Sequence, residues 1–582
     1  MNLVCAKNVG DNDTIYYRCL RRHRSHVIAR IIIGGRVRLL LLLYLAFIYL
    51  PAYAENPIAL DHIYLSASTS YELLREKGFK PRKDVPPWPV SLPIAWNADP
   101  FGDRNWRFQL HAWRLIDPIL LKYRDTQDKK YLEESIEIIN DWYQYHYILR
   151  KVSKYQWYDM AAGIRAMKLA WLWNEIDFEN FSEGKELKQI FDELMELHVT
   201  KLINESFLAS DNHAYFQLVG LRLLCKANPT INLCIEETEY NNNKMKSLLS
   251  RQFTGEGVHR ENSPGYHIFT INVLKRLDIA KLYDHKIADL IQRAERVIPW
   301  LIYPDGTIVR IGDSSGKFKH ENSPITDIYT INDRKLTFGN YIDSGYFSLR
   351  TPFNINSTFA TQIIITGISN ADATHKHADE LSFELFHRGR LVFVDSGKYS
   401  YNLDDYREYI LSASAHNTLS FAGYPIGPKD VSGSGSKLKS IRTSNEYVHV
   451  FGHVSRPDVF DHFREFRIKP FEEIHIKDTF KKTLPFYKEL PFISGDTSVT
   501  SNLHINPFIT VQRVGENKVQ LDDLAIVELF SSDCKLEIIK AQEVPLLGWV
   551  SFEYNDIKPT NVIRAYCANN QSGELKWKIM LL

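Results

Sequence analysis

The positions of hydrophobic residues divide the chain into two parts with different periodicities. Between about residues 100 and 300, apolar side chains recur every three or four positions, as in "YDMAAGIRAMKLAWLWNEI". This spacing is typical of helices with one buried face. From about residue 340 onward, short runs such as "YVHVFGHVS" alternate apolar and polar residues between turn residues. The pattern predicts a helical domain followed by an antiparallel β-sandwich or barrel, with the junction at residues 303–318.

The first 54 residues fit neither pattern. A basic stretch precedes the apolar run Leu39–Leu50, and small residues follow at Ala52 and Ala54. This order is typical of a secretory signal peptide, and the apolar run is short for a membrane span. We therefore expect residues 1–54 to be removed and the protein to be periplasmic or secreted. An uncleaved membrane anchor is the alternative.

Removing this segment changes the net charge of the protein. The segment carries eight Lys and Arg residues against two Asp, so the rest of a chain whose total is +1 carries −5. A protein with this balance lacks the overall basic field that attracts nucleic acid. We expect no nucleic-acid partner, and any anionic ligand would be bound by a local site.

Cysteines are few, and none forms a C-x-x-C motif of the kind found in zinc knuckles and thioredoxin-type sites. Cys225 and Cys234 flank a loop and can pair in an oxidising compartment, with two buried thiols as the alternative.

The segment "SDNHAYFQLVGLRLL" places polar residues at a predicted helix start. Asp211 suits the N-cap, which puts Asn212 and His213 in the first turn. A helix start offers free N–H groups and the positive end of the helix dipole. Asn212 and His213 are therefore candidates for binding a carboxylate.

A second helix start lies in "HRENSPGYHIFTINVL". Ser263 can cap the helix and Pro264 suits its first position, which places Tyr266 and His267 in the first turn. A phenolate at this position is less costly than in water because of the helix dipole. Tyr266 is therefore a candidate for proton transfer.

The segment "THKHADELSF" precedes an apolar strand and places His375, His377 and Asp379 at alternate positions. In an extended chain these side chains would leave one face. His377 also belongs to an H-x-H…D…H set completed by Asp395 and His416. Two imidazoles and a carboxylate suit zinc or a similar divalent ion, with surface histidines as the alternative.

Taken together, these segments resemble the heparinase II/III family of polysaccharide lyases. "HKHADELSFELFHRGRLVFVDSGKYSY" and "REYILSASAHNTLSF" resemble its C-terminal signature, and "DNHAYFQLVGLRLL" and "ENSPGYH" resemble its helical motifs. Within the family they most resemble the heparin-sulfate lyase branch. The resemblance implies a multidomain α+β fold. An incomplete (α/α) toroid would occupy residues 55–325, and an antiparallel β-sandwich residues 326–582.

The resemblance also implies roles for individual residues. Asn212 would neutralise the uronate carboxylate, Tyr266 would transfer protons, and His375 would face Tyr266 from the β-domain. His213 and Arg407 would contact the substrate. A structural divalent metal, zinc or alternatively calcium or manganese, would be bound by His377, Asp395 and His416. Further cleft candidates are Tyr399, Tyr401 and Tyr406.

The implied activity is β-elimination on a uronate-containing polysaccharide, either a heparan-sulfate-like glycosaminoglycan or a bacterial capsule. A base takes the C5 proton and an acid protonates the leaving O4. One tyrosine can do both when the two atoms share a face of the sugar; otherwise His375 would be the base and Tyr266 the acid. The alternatives are a non-catalytic exopolysaccharide-binding protein and a zinc-dependent hydrolase. We expect a monomer or homodimer without stable membrane anchoring.

Overall fold

The computed structural model describes residues 58–582 except 67, 182, 320–325, 370–373, 423–425, 434, 457–458, 484–497 and 568–570. Met1–Pro57 forms a separate unit, in which the backbone of two antiparallel strands, Cys5–Gly10 and Thr14–Cys19, is described. The predicted signal features, Leu39–Leu50 with Ala52 and Ala54, lie outside the described residues. No helix within the described ranges is long and apolar enough to cross a membrane.

The second unit, Ile58–Leu582, begins with an array of helices. Buried residues recur at the expected spacing; in the helix Lys129–Tyr143, for example, Leu132, Ile136 and Ile139 are all buried. The α-helices of this array are Tyr71–Lys77, Arg104–His111, Asp117–Thr126, Lys129–Tyr143, Asp159–Glu175, Gly184–Leu202, His213–Ala227, Glu237–Gln252, Pro264–Arg276, Ile279–Leu282 and His285–Val297. Single turns of 3₁₀ or π helix connect several of them.

Two helices of the array lie unusually close together. A Cβ atom added at Gly163 would lie 2.4 Å from the carbonyl oxygen of Phe216, and one added at Gly220 would lie 2.5 Å from that of Gly163. Only glycine permits this separation. The contact fixes the helix His213–Ala227, whose first turn carries the predicted substrate-binding residues, against Asp159–Glu175.

The C-terminal part is built from antiparallel sheets. The strands of an eight-stranded sheet are, in spatial order, Leu438–Thr443, Val448–Arg456, Phe460–Lys469, Glu473–Lys482, Ser572–Leu581, Ala525–Leu529, Lys518–Leu521 and Val511–Gly515. Those of a six-stranded sheet are Tyr329–Ile331, Arg334–Tyr341, Tyr346–Arg350, Thr361–Thr366, Phe383–His387 and Arg390–Phe393. Those of a four-stranded sheet are Leu419–Phe421, Val499–His504, Asn561–Cys567 and Cys534–Lys540.

Shorter elements complete this part of the chain. The short strand pairs are Ile368–Ser369 with Gly435–Ser436, Gln542–Glu543 with Leu546–Leu547, and Trp549–Glu553 with Asp556–Pro559. The helix Asp405–Leu411 follows the strand Arg390–Phe393 and precedes the strand Leu419–Phe421 in the chain.

The six-stranded sheet is covered on both faces. Successive residues of one strand belong to different clusters: Ile363 and Ile365 pack with the eight-stranded sheet, whereas Ile364 packs with Val297 and Leu301 of the helical part. The strand Thr361–Thr366 is therefore buried throughout. This sheet is the middle layer that joins the two parts of the molecule.

The described part of the chain contains two disulfides. Cys225 and Cys234 are paired, as the sequence allowed. Cys534 and Cys567 are also paired, between neighbouring strands of the four-stranded sheet, which the sequence did not predict.

Candidate active site

Tyr266 and His375 come from opposite parts of the molecule and stack on one another. Their ring centroids are 3.6 Å apart and their planes differ by 15°. Tyr266 lies in the first turn of the helix Pro264–Arg276, where Ser263 Oγ accepts a hydrogen bond from its N–H at 3.3 Å. The predicted cap and the predicted meeting of the two side chains are thus both found.

The route by which His375 reaches this position differs from the expected one. Residues 374–382 form turns, not an extended strand, and the strand begins only at Phe383. His375 has φ +56°, in the left-handed region. The prediction that strand alternation directs His375, His377 and Asp379 to one face is therefore wrong. Asp379 is instead paired with Lys376.

The two histidines converge because both contact Asp313. His375 Nδ1 lies 3.0 Å from Asp313 Oδ2, and His377 Nε2 lies 3.0 Å from Oδ1. The guanidinium of Arg407 donates to both oxygens, at 2.7 and 3.1 Å. Burial disfavours the Asp313 carboxylate, but the hydrogen bonds from the two histidines and Arg407 outweigh it and hold its pKa well below the ordinary value.

The backbone around Asp313 ties the helical part to the loop that carries His375. The N–H of Asp313 donates to the carbonyl of His375 at 3.2 Å, and Ser263 Oγ donates to the carbonyl of Asp313 at 3.1 Å. Asn262 Nδ2 donates to the carbonyl of Thr374 at 3.0 Å. The segment before the Tyr266 helix, the Asp313 segment and the His375 loop are thus hydrogen-bonded together.

The hydroxyl of Tyr266 contacts a second tyrosine. It lies 2.7 Å from the Tyr401 hydroxyl, which in turn lies 3.4 Å from His375 Nδ1. Burial raises the pKa of Tyr266, the charges of Asp313 and Glu261 add to this effect, and the hydrogen bond with Tyr401 opposes it. The pKa of the phenol thus lies above that of a free tyrosine, so the phenol is protonated at neutral pH.

His375 faces a carboxylate at each ring nitrogen. Its Nε2 lies 3.7 Å from Glu261 Oε2, while its Nδ1 faces Asp313. Glu261 also contributes, after burial, to the raised pKa of Tyr215 in the helix His213–Ala227. The charge of Glu261 therefore acts on both His375 and the buried Tyr215 phenol.

Asn212 and His213 lie at the start of the helix that contains Tyr215. The helix begins at His213, with Asn212 at the N-cap position and Asp211 Oδ1 accepting from the N–H of His213 at 2.9 Å. His213 Nδ1 lies 3.1 Å from Asp159 Oδ1, and this contact raises the pKa of His213. Within the described residues, the Asn212 amide has no hydrogen-bond partner.

The predicted metal ligands also form a cluster. His377, Asp395 and His416 are buried, and one potential ligand atom of each lies within 4.8 Å of the others. His377 Nδ1 and His416 Nε2 are buried without a hydrogen-bond partner among the described residues. His377 Nε2 bonds Asp313, the arrangement that usually orients a metal-binding histidine. The donor set fits a divalent ion such as zinc.

Two family models match the chain in succession. The model for the heparinase II/III N-terminus covers residues 59–327, and the model for the heparinase II/III-like C-terminal part covers residues 334–578. The chain belongs to the heparinase II/III family.

Relatives within the heparinase II/III family are distant in sequence. A protein named heparin-sulfate lyase from Bacteroides stercoris is 24% identical over 398 residues, which are 60% of this chain and 58% of that protein. One of the same name from Pedobacter heparinus is 20% identical over 377 residues, 59% of this chain and 56% of that protein. The matches therefore span less than two thirds of either relative.

Similarity of fold extends further than similarity of sequence. A solved heparinase III gene product with methylated lysines has a TM-score of 0.70 at 16% identity, with 93% of this chain and 88% of that chain covered. The predicted fold, an incomplete (α/α) toroid followed by an antiparallel β-sandwich, is confirmed.

Sequence patterns missed one central residue of the candidate site, Asp313. It lies in the segment that the sequence marked only as a junction. An acidic residue between Gly312 and Ser314, directly after the mostly apolar run Thr307–Ile311, was the available signal. Arg407, expected to contact substrate, is buried and directed at Asp313. Of the further tyrosines, Tyr401 lies in the site.

Proposed function

We propose that this protein is a polysaccharide lyase that cleaves uronate-containing chains by β-elimination. The observation that carries the proposal is the contact between the Tyr266 phenol and the His375 imidazole, supplied by the two halves of the fold. The names of its relatives support the same reaction class. The substrate would be a heparan-sulfate-like glycosaminoglycan or a uronate-containing bacterial capsule.

The elimination needs a base, an acid and stabilisation of a carboxylate. The C5–H bond breaks as a base takes the proton, its electrons form the C4–C5 double bond, and the C4–O4 bond breaks as O4 gains a proton. Charge spreads onto the uronate carboxylate during this step, and donors placed there stabilise it. The Asn212 amide, at a helix N-cap and without a hydrogen-bond partner among the residues that the structure describes, suits this role.

The stacking of Tyr266 on His375 favours one stereochemical course. Rings 3.6 Å apart leave no room for a sugar between them, so both approach the substrate from one side. We propose that Tyr266 takes the C5 proton and then protonates O4 on that face. Since the phenol is protonated at rest, it first releases its proton to solvent, and its hydrogen-bond partner Tyr401 is 45% exposed. Uronates with H5 and O4 on one face are the preferred substrates.

We also propose that His377, Asp395 and His416 hold a structural divalent ion, zinc in the first instance and calcium or manganese otherwise. The ion supplies structural cross-linking by fixing the loops that carry these ligands. His377 and His375 then share Asp313, so ordering one orders the other. Metal analysis of the purified protein should find about one ion per chain, and His416→Ala should remove it.

Export to the periplasm or the medium is part of the proposal. The disulfides Cys225–Cys234 and Cys534–Cys567 are typical of an oxidising compartment and support it. The oligomeric state, monomer or homodimer, stays a prediction.

The test is product analysis on a panel of uronate polymers. A lyase yields fragments with an unsaturated uronate, which absorbs ultraviolet light and lacks the mass of one water relative to a hydrolysis product. We expect such fragments from polymers with H5 and O4 on one face, and slower or no cleavage of the C5 epimers. Saturated fragments would indicate a metal-dependent hydrolase, and bound but intact polymer would indicate a binding protein; either result contradicts the proposal.

A further inference from the structure

Lys398 lies among three tyrosines beside the proposed reaction centre. Its Nζ is 4.4 Å from the ring centroid of Tyr401, 5.6 Å from that of Tyr554 and 5.7 Å from that of Tyr266. Tyr401 and Tyr554 are 45% and 53% exposed, so this group faces solvent on one side. The ammonium is thus held against aromatic faces next to the hydroxyl that is proposed to react.

The charge of Lys398 is not neutralised by a neighbouring carboxylate. Within the described parts of the chain, no acidic group lies within ion-pair distance of Nζ and no hydrogen bond reaches it. Asp313, the acidic group that acts on it electrostatically, is already bonded to Arg407, His375 and His377. Burial lowers the pKa of Lys398, as expected for a cation with no direct anionic partner.

The backbone that carries Lys398 is held in place on several sides. Gly397 has φ +76°, and a Cβ atom there would lie 2.1 Å from the carbonyl oxygen of Ser551. The carbonyl of Lys398 accepts from Arg407 at 2.8 Å, and the carbonyl of Tyr399 accepts from the N–H of Asn555 at 2.9 Å. Lys398 is therefore a fixed feature of the site, unlike a surface lysine on a free loop.

We propose that Lys398, with Tyr401 and Tyr554, forms a subsite that binds an anionic substituent of the saccharide, a carboxylate or a sulfate ester. This inference rests on the proposed function. An ammonium forms strong charge-assisted hydrogen bonds with either group. The exposed rings of Tyr401 and Tyr554 provide apolar surface for the C–H face of the same sugar. The subsite would set the register of the chain relative to Tyr266.

The experiment compares Lys398→Met, Lys398→Arg and Lys130→Met. Lys130 is a matched control, because its Nζ also lies over a tyrosine, 4.8 Å from the Tyr131 ring, but is paired with Asp128. Each variant is assayed for KM and kcat on a sulfated and an unsulfated glucuronate–glucosamine polymer. Each is also combined with Tyr266→Phe to measure the affinity for intact polymer at low and high salt. Thermal unfolding confirms that the variants are folded.

We expect Lys398→Met to raise KM and weaken polymer binding by about 10-fold or more, the size of one charge-assisted contact. Lys398→Arg should restore most of the affinity, and the salt dependence of binding should weaken in the Met variant. An equal loss on both polymers identifies the carboxylate as the bound group, and a loss confined to the sulfated polymer identifies the sulfate.

Two results would overturn the inference. In the first, Lys398→Met binds polymer with the same affinity as Lys130→Met. In the second, Lys398→Met lowers only kcat and leaves polymer binding unchanged. The proposed function fails separately. If the parent protein yields no unsaturated product but Lys398→Met still weakens polymer binding, the subsite stands and the lyase proposal falls.

Discussion

The carboxylate of Asp313 holds three neighbouring side chains of the candidate site in place. Four nitrogen atoms, one from His375, one from His377 and two from Arg407, lie within 3.1 Å of its two oxygens. The side chain is 1% exposed, so water cannot replace a lost partner. Asp313 therefore links the proposed proton-transfer residues to the proposed metal site.

Replacing Asp313 by asparagine should lower kcat while leaving polymer affinity nearly unchanged. An amide has one acceptor oxygen, so it cannot accept from both histidines and the guanidinium together. Loss of such a supporting contact typically costs about 10–100-fold in activity. Initial rates of unsaturated-product formation measure the effect. Asp305→Asn, an exposed residue on the same segment, is the control; equal rates for the two variants would contradict the assignment.

At the scale of elements, the site depends on three segments that meet at Gly312: the segment that contains Gly312 itself, the one before the Tyr266 helix, and the His375 loop. Gly312 has φ +56°, and a Cβ atom there would lie 2.5 Å from the carbonyl oxygen of Asn262 and 2.6 Å from that of His375. Asn262 immediately precedes the helix that carries Tyr266. The separation of the two functional side chains is thus set by backbone contacts at this one residue.

Gly312→Ala should therefore reduce both stability and activity. Gly316→Ala is a matched control, because Gly316 also has positive φ (+91°) but no atom within 4 Å of an added Cβ. The unfolding free energy of the control should fall only by what a left-handed conformation costs an alanine, about 1–2 kcal/mol. Thermal unfolding and kcat are measured for both. If Gly312→Ala behaves like Gly316→Ala, the close approach does not position the site.

A buried ion cluster joins two strands of the eight-stranded sheet. Asp478 pairs in register with Arg464, which donates to it at 2.6 and 2.8 Å, and His462 Nε2 lies 2.7 Å away. Burial opposes ionisation, but Arg464 and His462 outweigh it and lower the pKa of Asp478 to about 2. A carboxyl whose pKa falls on folding stabilises the protein above its unfolded pKa, and this contribution is lost as pH falls through the folded value.

The resulting pH dependence is testable with Asp478→Asn. At neutral pH we expect a loss of about 3–5 kcal/mol in unfolding free energy, since Arg464 is left buried without its partner. As pH falls from about 5 toward 2, protonation of Asp478 should lower the unfolding free energy of the parent by about 2 kcal/mol. Asp478→Asn has no carboxyl at this position and should not show this loss, so the two melting temperatures should converge. Asp523→Asn, at an exposed position, is the control. Melting curves that stay parallel across this range would refute the assignment.

Features of the site that are encoded in adjacent residues could be predicted from the sequence, whereas features that depend on contacts between distant residues could not. The Ser263–Pro264 start is encoded in adjacent residues, so the place of Tyr266 could be found from the sequence. The conformation of His375 could not, because its positive φ is supported by Gly312 and Asn262, which are distant in the chain. The pairing of Cys534 with Cys567 likewise requires knowledge of which strands are neighbours.

Over the whole molecule, the two periodicities of the sequence predicted a helical part followed by a β-part, and the family resemblance specified the toroid and the sandwich. Helical spacing before residue 300 and alternation after residue 340 correspond to the toroid and the sandwich. Neither pattern reveals that the six-stranded sheet carries helices on one face and a second sheet on the other. This middle layer brings the His375 loop to the Tyr266 helix, so the site exists only in the assembled fold.

The most direct test of the account is the rate of elimination by Tyr266→Phe. The change removes one hydroxyl and leaves the ring that stacks on His375, so binding should be retained. We predict that kcat for unsaturated-product formation falls by about 10²–10⁴-fold, while the affinity for intact polymer changes little. Tyr399→Phe, whose hydroxyl contacts Asp404, should keep parental activity. A Tyr266→Phe protein that forms unsaturated product at the parental rate would contradict the central claim.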